Sequence, residues 1–169
     1  YIIMRGMLFF DTSSIPSGSN IINAVLSIKI ESDYSEEDFD ITIRNGQPTY
    51  PHFPLEVGDY LYSHYSGDGG STNTYGLATD VYTDIKLNST GCAWIEMGDS
   101  ALTKLALISS RDISESPPED PNFDEYVAVN SGDAETYKPK LTILYSLPAD
   151  INVIPLLPNI GHSQVYWFW

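Results

Sequence analysis

Cysteine is almost missing from this 169-residue chain, in which Cys92 stands alone. One thiol closes no intrachain bridge, so disulfides do not staple the fold, and Cys92 reads as a small buried hydrophobe rather than a nucleophile. Cations are scarce as well. Eight lysines and arginines face 23 acids, for a formal net charge of −15. Such a surface repels phosphate backbones and argues against nucleic acid as a partner. It suits a salty or calcium-containing exterior, or is simply a solvated, solubilising face. No apolar run reaches the length of a membrane span. The chain opens on Tyr1 without a basic and apolar leader pattern, and the expectation is that a leader has been removed or that the sequence begins partway into a larger product.

Catalytic signatures are missing too. No Gly-x-Ser-x-Gly elbow, Walker loop, dinucleotide fingerprint or zinc spacing occurs. His52, His64 and His162 lack an activating frame and read as loop histidines. The acid pairs Glu36-Glu37 and Glu119-Asp120 sit in runs of like charge, where a solvated run is the ordinary explanation and a glycosidase pair a remote one. The expectation is a protein that is not an enzyme.

What the chain does have is short alternating apolar runs. Ile22, Ala24, Leu26, Ile28 and Ile30 recur with period two, the mark of a half-buried strand. Before it, Tyr1 to Phe10 is apolar on both faces apart from Arg5 and Gly6, which predicts a central strand covered on both sides. A turn closed by Asp11, Ser13, Pro16 and Gly18 joins the two. Phe39, Ile41 and Ile43 alternate ahead of an Asn45-Gly46 turn. Further strands are expected from Tyr75 to about Asp80, with a helical turn at Val81 to Ile85, and at Thr103 to Ser109, Tyr126 to Val129 and Leu141 to Tyr145. Trp94 and Ile95 follow a turn at Gly91 and are expected to plug the core. Two segments read as long loops: Gln47 to Thr74, rich in aromatics and proline, and Arg111 to Asp124, with Pro117, Pro118 and Pro121. About eight strands with little helical periodicity predict an all-β fold, an antiparallel jelly-roll sandwich over residues 1–146. Residues 147–169 form an apolar C-terminal extension.

The pattern Leu-x-Phe-Asp-x-Ser-x-Ile-Pro-x-Gly-x-x-Ile-x-x-Ala-x-Leu is met by Leu8, Phe10, Asp11, Ser13, Ile15, Pro16, Gly18, Ile21, Ala24 and Leu26. It resembles the opening of the DNRLRE-type domain, a β-sandwich module of secreted prokaryotic proteins that is grouped with carbohydrate-binding modules and related to disaggregatase-associated modules. Tyr137-Lys138-Pro139-Lys140-Leu141-Thr142-Ile143-Leu144-Tyr145 is similar to the closing strand of such modules. The resemblance implies an extracellular or cell-surface location, polysaccharide as a partner, and a further strand upstream. A shared fold hosts many activities, so it specifies architecture better than function.

Four candidate sites stand out. Tyr50, Phe53, Tyr60, Tyr62 and Tyr65 could form a glycan platform, since flat rings stack on sugar faces; alternatively they cover one end of the sandwich. Asn88-Ser89-Thr90 is a glycosylation sequon whose weight depends on secretion. No cofactor is implied beyond a structural calcium ion, for which Asp68 or Asp112 is a candidate ligand. The fourth site is the tail. Ile151, Val153, Ile154, Leu156, Leu157, Ile160, Val165, Tyr166, Trp167, Phe168 and Trp169 are too apolar to stand alone in water, and the tail's prolines argue against a helix. Such a tail could add a strand to a neighbouring copy, fold back on its own sheet, or lead into a further domain. The leading expectation is a non-catalytic structural or adhesive subunit that assembles through this tail into a homopolymeric filament or surface layer. The alternative is a carbohydrate-binding module that anchors a larger secreted protein to polysaccharide.

Overall fold

The computed structural model describes residues 3–79, 81–118 and 125–148. Among them are eight strands: β1 (Gly6–Asp11), β2 (Asn20–Asp33), β3 (Asp40–Arg44), β4 (Ser71–Asn73), β5 (Tyr82–Lys86), β6 (Leu102–Ser109), β7 (Val127–Val129) and β8 (Lys140–Ser146). Two short helices interrupt the loops, α1 (Ser89–Cys92) and α2 (Ser110–Ser114). The strands form two antiparallel sheets. One runs β1-β6-β3-β4; in the other β2 is flanked by β5 and β7, with β8 also paired to β2. The chain crosses from one sheet to the other at β1–β2, β2–β3, β4–β5, β5–β6 and β6–β7, a back-and-forth winding of jelly-roll type. The expected all-β sandwich is what the chain forms.

β2 organises the core. Ala24, Leu26, Ile28 and Ile30 are fully buried on one face and meet Ile41 and Ile43 of β3 and Leu105 and Leu107 of β6. That interleaving of two inner faces is the usual core of a sandwich. The alternation fails at Ile22, which is 56% exposed although the period-two pattern puts it inside. The cause is a bulge. Ile21 pairs with Tyr145 and Asn23 with Leu144, so Ile22 has no counterpart on β8, and one extra residue reverses the facing of everything before it. Ile21 therefore packs on the core in its place.

Three strand expectations need correction. β1 starts at Gly6 and lies at the edge of its sheet rather than in the centre, paired on one side with β6. Its outer face is covered by a loop instead of a sheet. The strand expected over residues 75–80 is absent where the chain is described: Tyr75 is exposed and Gly76 takes a positive φ of 70°. The strand forms instead over Tyr82–Lys86, where a helical turn was expected, because Val25 to Lys29 of β2 supply the partner there. The start of the segment expected as loop beyond Arg111 is taken by α2, N-capped by the Ser109 side chain. Tyr1, Ile2, Asp80, Glu119 and Asp120 fall outside the described residues.

A second, smaller core lies on the outer face of the first sheet. Ala106 and Ile108 of β6 are covered by Tyr65, with Met7, Tyr50 and Tyr62 around them. The long proline-rich loop thus folds flat against the sheet, through 3-10 turns at Val57–Tyr60 and Tyr62–His64. The glycine-rich stretch that follows is short of side chains for a steric reason. A Cβ on Gly69 would fall 2.3 Å from the Trp94 ring, and one on Gly91 would fall 2.2 Å from the Gly69 carbonyl oxygen. Ile95 is buried as expected, while Trp94 is half-buried over these glycines.

Candidate functional site

The five rings proposed from sequence as a platform do not share one surface. Tyr65 is only 2% exposed and its hydroxyl donates to the Asp59 carbonyl oxygen at 2.7 Å. Tyr50 stacks on His64 with ring centroids 3.6 Å apart. The Tyr62 hydroxyl accepts from Arg44 at 3.2 Å. The five-ring platform is therefore corrected: Tyr65 is buried, and Tyr50 and Tyr62 are half-buried against the second core, so the five rings do not share one open surface. Phe53, at 71% exposed, and Tyr60 remain open to solvent.

The loop is held by a clasp that sequence reasoning missed. The buried Asp59 carboxylate accepts from the backbone N–H groups of His52 at 3.0 Å and Glu56 at 2.7 Å, and His52 Nδ1 lies 2.8 Å from the same carboxylate. Burial pushes the Asp59 carboxyl up, yet the three bonds outweigh it and hold the group below its ordinary value. Nδ1 therefore carries the proton and donates. Burial and the neighbouring Asp59 push the Tyr65 hydroxyl up to about 12. An Asp–His pair is two-thirds of a hydrolytic triad, but this one closes a loop on itself. No sequence motif announces it beyond a polar pair seven residues apart among prolines.

At the open end of the sandwich, Arg5 ties three elements together. Its guanidinium makes a bidentate pair with Asp112 of α2, at 2.6 and 2.8 Å, and also donates to the Tyr60 carbonyl oxygen. Both side chains of the pair are almost fully buried. The Asp112 hydrogen bonds are the main reason that the guanidinium is raised above its ordinary value. Arg5 also lies 4.7 Å over the Tyr60 ring, and the Tyr60 hydroxyl donates to the Ile3 carbonyl oxygen. The start of β1, the loop and α2 are thereby fixed to one another.

Beside this knot a groove of about 960 Å³ opens between the two sheets. Phe39, Ile41, Leu107, Val127 and Val129 give it an apolar lining, with Ile3 and Met4 at its mouth, and the charged Arg5, Arg111, Asp112, Glu115 and Glu125 line it as well. Ile3 and Met4 are exposed, and the Ile3 carbonyl accepts from the Tyr60 hydroxyl. Exposed apolar patches mark contact sites. The groove draws on segments more than a hundred residues apart in sequence, so no local pattern could reveal it. A second, more polar cleft of about 600 Å³ lies by the bulge, lined among others by Ile22, Asn23, Lys86, Asn88 and Cys92.

The remaining candidates fall elsewhere. Asn88 is exposed and caps α1: its side chain accepts from Gly91 N–H at 2.9 Å and donates to the Asp68 carbonyl oxygen at 3.0 Å. A glycan on its amide nitrogen would have to share that donor. Asp112 is corrected as a calcium ligand, because Arg5 occupies both its oxygens. Asp68 caps its own turn by accepting from Gly70 N–H at 2.8 Å. Among the described residues no cluster of three or more His, Cys, Asp or Glu is placed to hold a metal ion, and no helix is long and apolar enough to cross a membrane. Ile151, Val153, Ile154, Leu156, Leu157, Ile160, Val165, Tyr166, Trp167, Phe168 and Trp169 lie outside the described residues. Compared with known proteins, the chain matches no family model, no curated protein and no solved structure.

Proposed function

We propose that this chain is a non-catalytic structural or adhesive subunit of an extracellular or cell-surface assembly, joined to further copies of itself through residues 147–169. One observation carries the reading. β8 is paired with β2 up to Ser146, and Leu147, the next residue, is 61% exposed. The sequence beyond that point is rich in Ile, Leu, Val and Trp, so it needs a cover that an exposed exit does not offer. The acidic surface and the DNRLRE-like opening motif support an extracellular setting. Removing residues 147–169 is expected to reduce the assembly to monomers in sedimentation; an unchanged sedimentation profile would refute the reading.

A second reading is a carbohydrate-binding module. What favours it is that Phe53 and Tyr60 of the same loop are 71% and 50% exposed. Replacing both with Ala is expected to abolish retention on insoluble polysaccharide under this reading, and to leave it unchanged under the first.

A further inference from the structure

Resting on that reading, we propose that the groove between the sheets is the acceptor for the tail, residues 149–169, of a neighbouring copy. Exit and groove lie at opposite ends of β2. Ser146 pairs with Asn20 at one end, and Pro148 lies against Gly18. Val129, in the groove wall, pairs with Ile30 near the other. Ten residues of strand separate the two, roughly 33 Å at the rise of a β-strand. A module with an apolar tail leaving one end and an apolar groove at the other is head-to-tail by construction.

The tail's composition selects between its own groove and a neighbour's. An extended chain covers at most about 3.5 Å per residue, so reaching its own groove would use roughly the first ten residues as a bridge. Those are the residues that carry Ile151, Val153, Ile154, Leu156 and Leu157. Return to the same sandwich would lay these apolar residues along the flank of β2 and spend them outside the groove. Insertion into a copy stacked end to end puts them in the groove at once, where Ile3 and Met4 are exposed apolar residues of its lining. β7, three residues long at the groove wall, and the edge strand β1 offer backbone groups for the added strand.

The test uses two full-length variants. In one, Ile151, Val153, Leu156 and Leu157 are replaced with Asp, which disables the tail and keeps the groove. In the other, Ile3→Asp and Met4→Asp disable the mouth and keep the tail; both residues are exposed, so the fold does not depend on them. Ser116→Trp, which blocks the same mouth by bulk, repeats the second test without added charge. Each variant alone is expected to sediment as the 18.8 kDa monomer, and an equimolar mixture of the two as a species of twice that mass, since one intact tail then meets one intact groove. If the mouth variants assemble as the parent does while the tail variant stays monomeric, the groove is not the acceptor, although the tail still drives assembly. If the tail variant assembles too, or the parent is a monomer, both the acceptor and the proposed function fail.

Discussion

Two buried residues of the long loop, Asp59 and Tyr65, contribute to the pH response in opposite directions. Asp59 is held below its ordinary value in the folded chain. Its contribution is therefore complete above the unfolded carboxyl value of about 4 and is lost as pH falls through the lower folded value. In denaturant titrations Asp59→Asn is expected to be less stable than the parent at pH 7, and the gap to narrow steadily below about pH 4. A gap that stays constant into acid would show that the carboxylate's charge contributes nothing. Tyr65 behaves the other way. Its hydroxyl titrates near 12 when folded and near 10 when unfolded, so its contribution is complete below about pH 10 and is lost as pH rises toward the folded value. Tyr65→Phe removes the hydroxyl, and the parent's alkaline loss of stability between those values is expected to shrink in that variant. Neither behaviour is legible in the sequence, where Asp59 and Tyr65 look like any loop acid and any loop aromatic. Their burial comes from the way the loop lies on Ala106 and Ile108.

Among the elements, β2 shows best what an amino-acid pattern conveys and where it stops. The row from Ala24 to Ile30 faces inward as its alternation predicts, because each residue has a neighbour strand on at least one side. Ile22 belongs to the same row on paper and faces out. A bulge is a property of two strands together, and nothing in β2 alone announces it. One consequence is unusual for a strand: Ile22 should be dispensable. Its deletion leaves Ile21 opposite Tyr145 and Asn23 opposite Leu144, with every facing preserved. The deletion is expected to change stability by less than about 1 kcal/mol in thermal melts, whereas deleting Val25, paired on both sides, shifts the register and should prevent folding. Equal damage from the two deletions would contradict the bulge. β5 was misread for a related reason: only Ile85 of its five residues is buried, too little for an apolar rhythm, and its identity as a strand comes from β2. The groove was invisible because four separate segments build it, while the aromatic loop was visible as a feature and misread as to which way its rings face.

For the whole molecule the dominant quantity is its charge. Copies carrying −15 each repel one another, while the tail-to-groove contact proposed for them is apolar. Added salt therefore has one main effect, the screening of repulsion. Between about 0.01 and 0.15 M salt the screening length falls from roughly 30 to 8 Å, and the average sedimenting mass is expected to rise across that range. An interface built on ion pairs would loosen instead, so a falling mass would argue against an apolar junction.

The place of β8 has a bearing on how the protein comes into being. Among the described residues it is the last strand to be synthesised, and it pairs with the second. About a hundred residues must be made between β2 and its partner, on the order of ten seconds at ordinary translation speeds. Throughout that interval the Asn20–Asn23 end of β2, which pairs with β8 and not with β5, is emerged without its ladder partner. That end of the second sheet is thus a late-closing door.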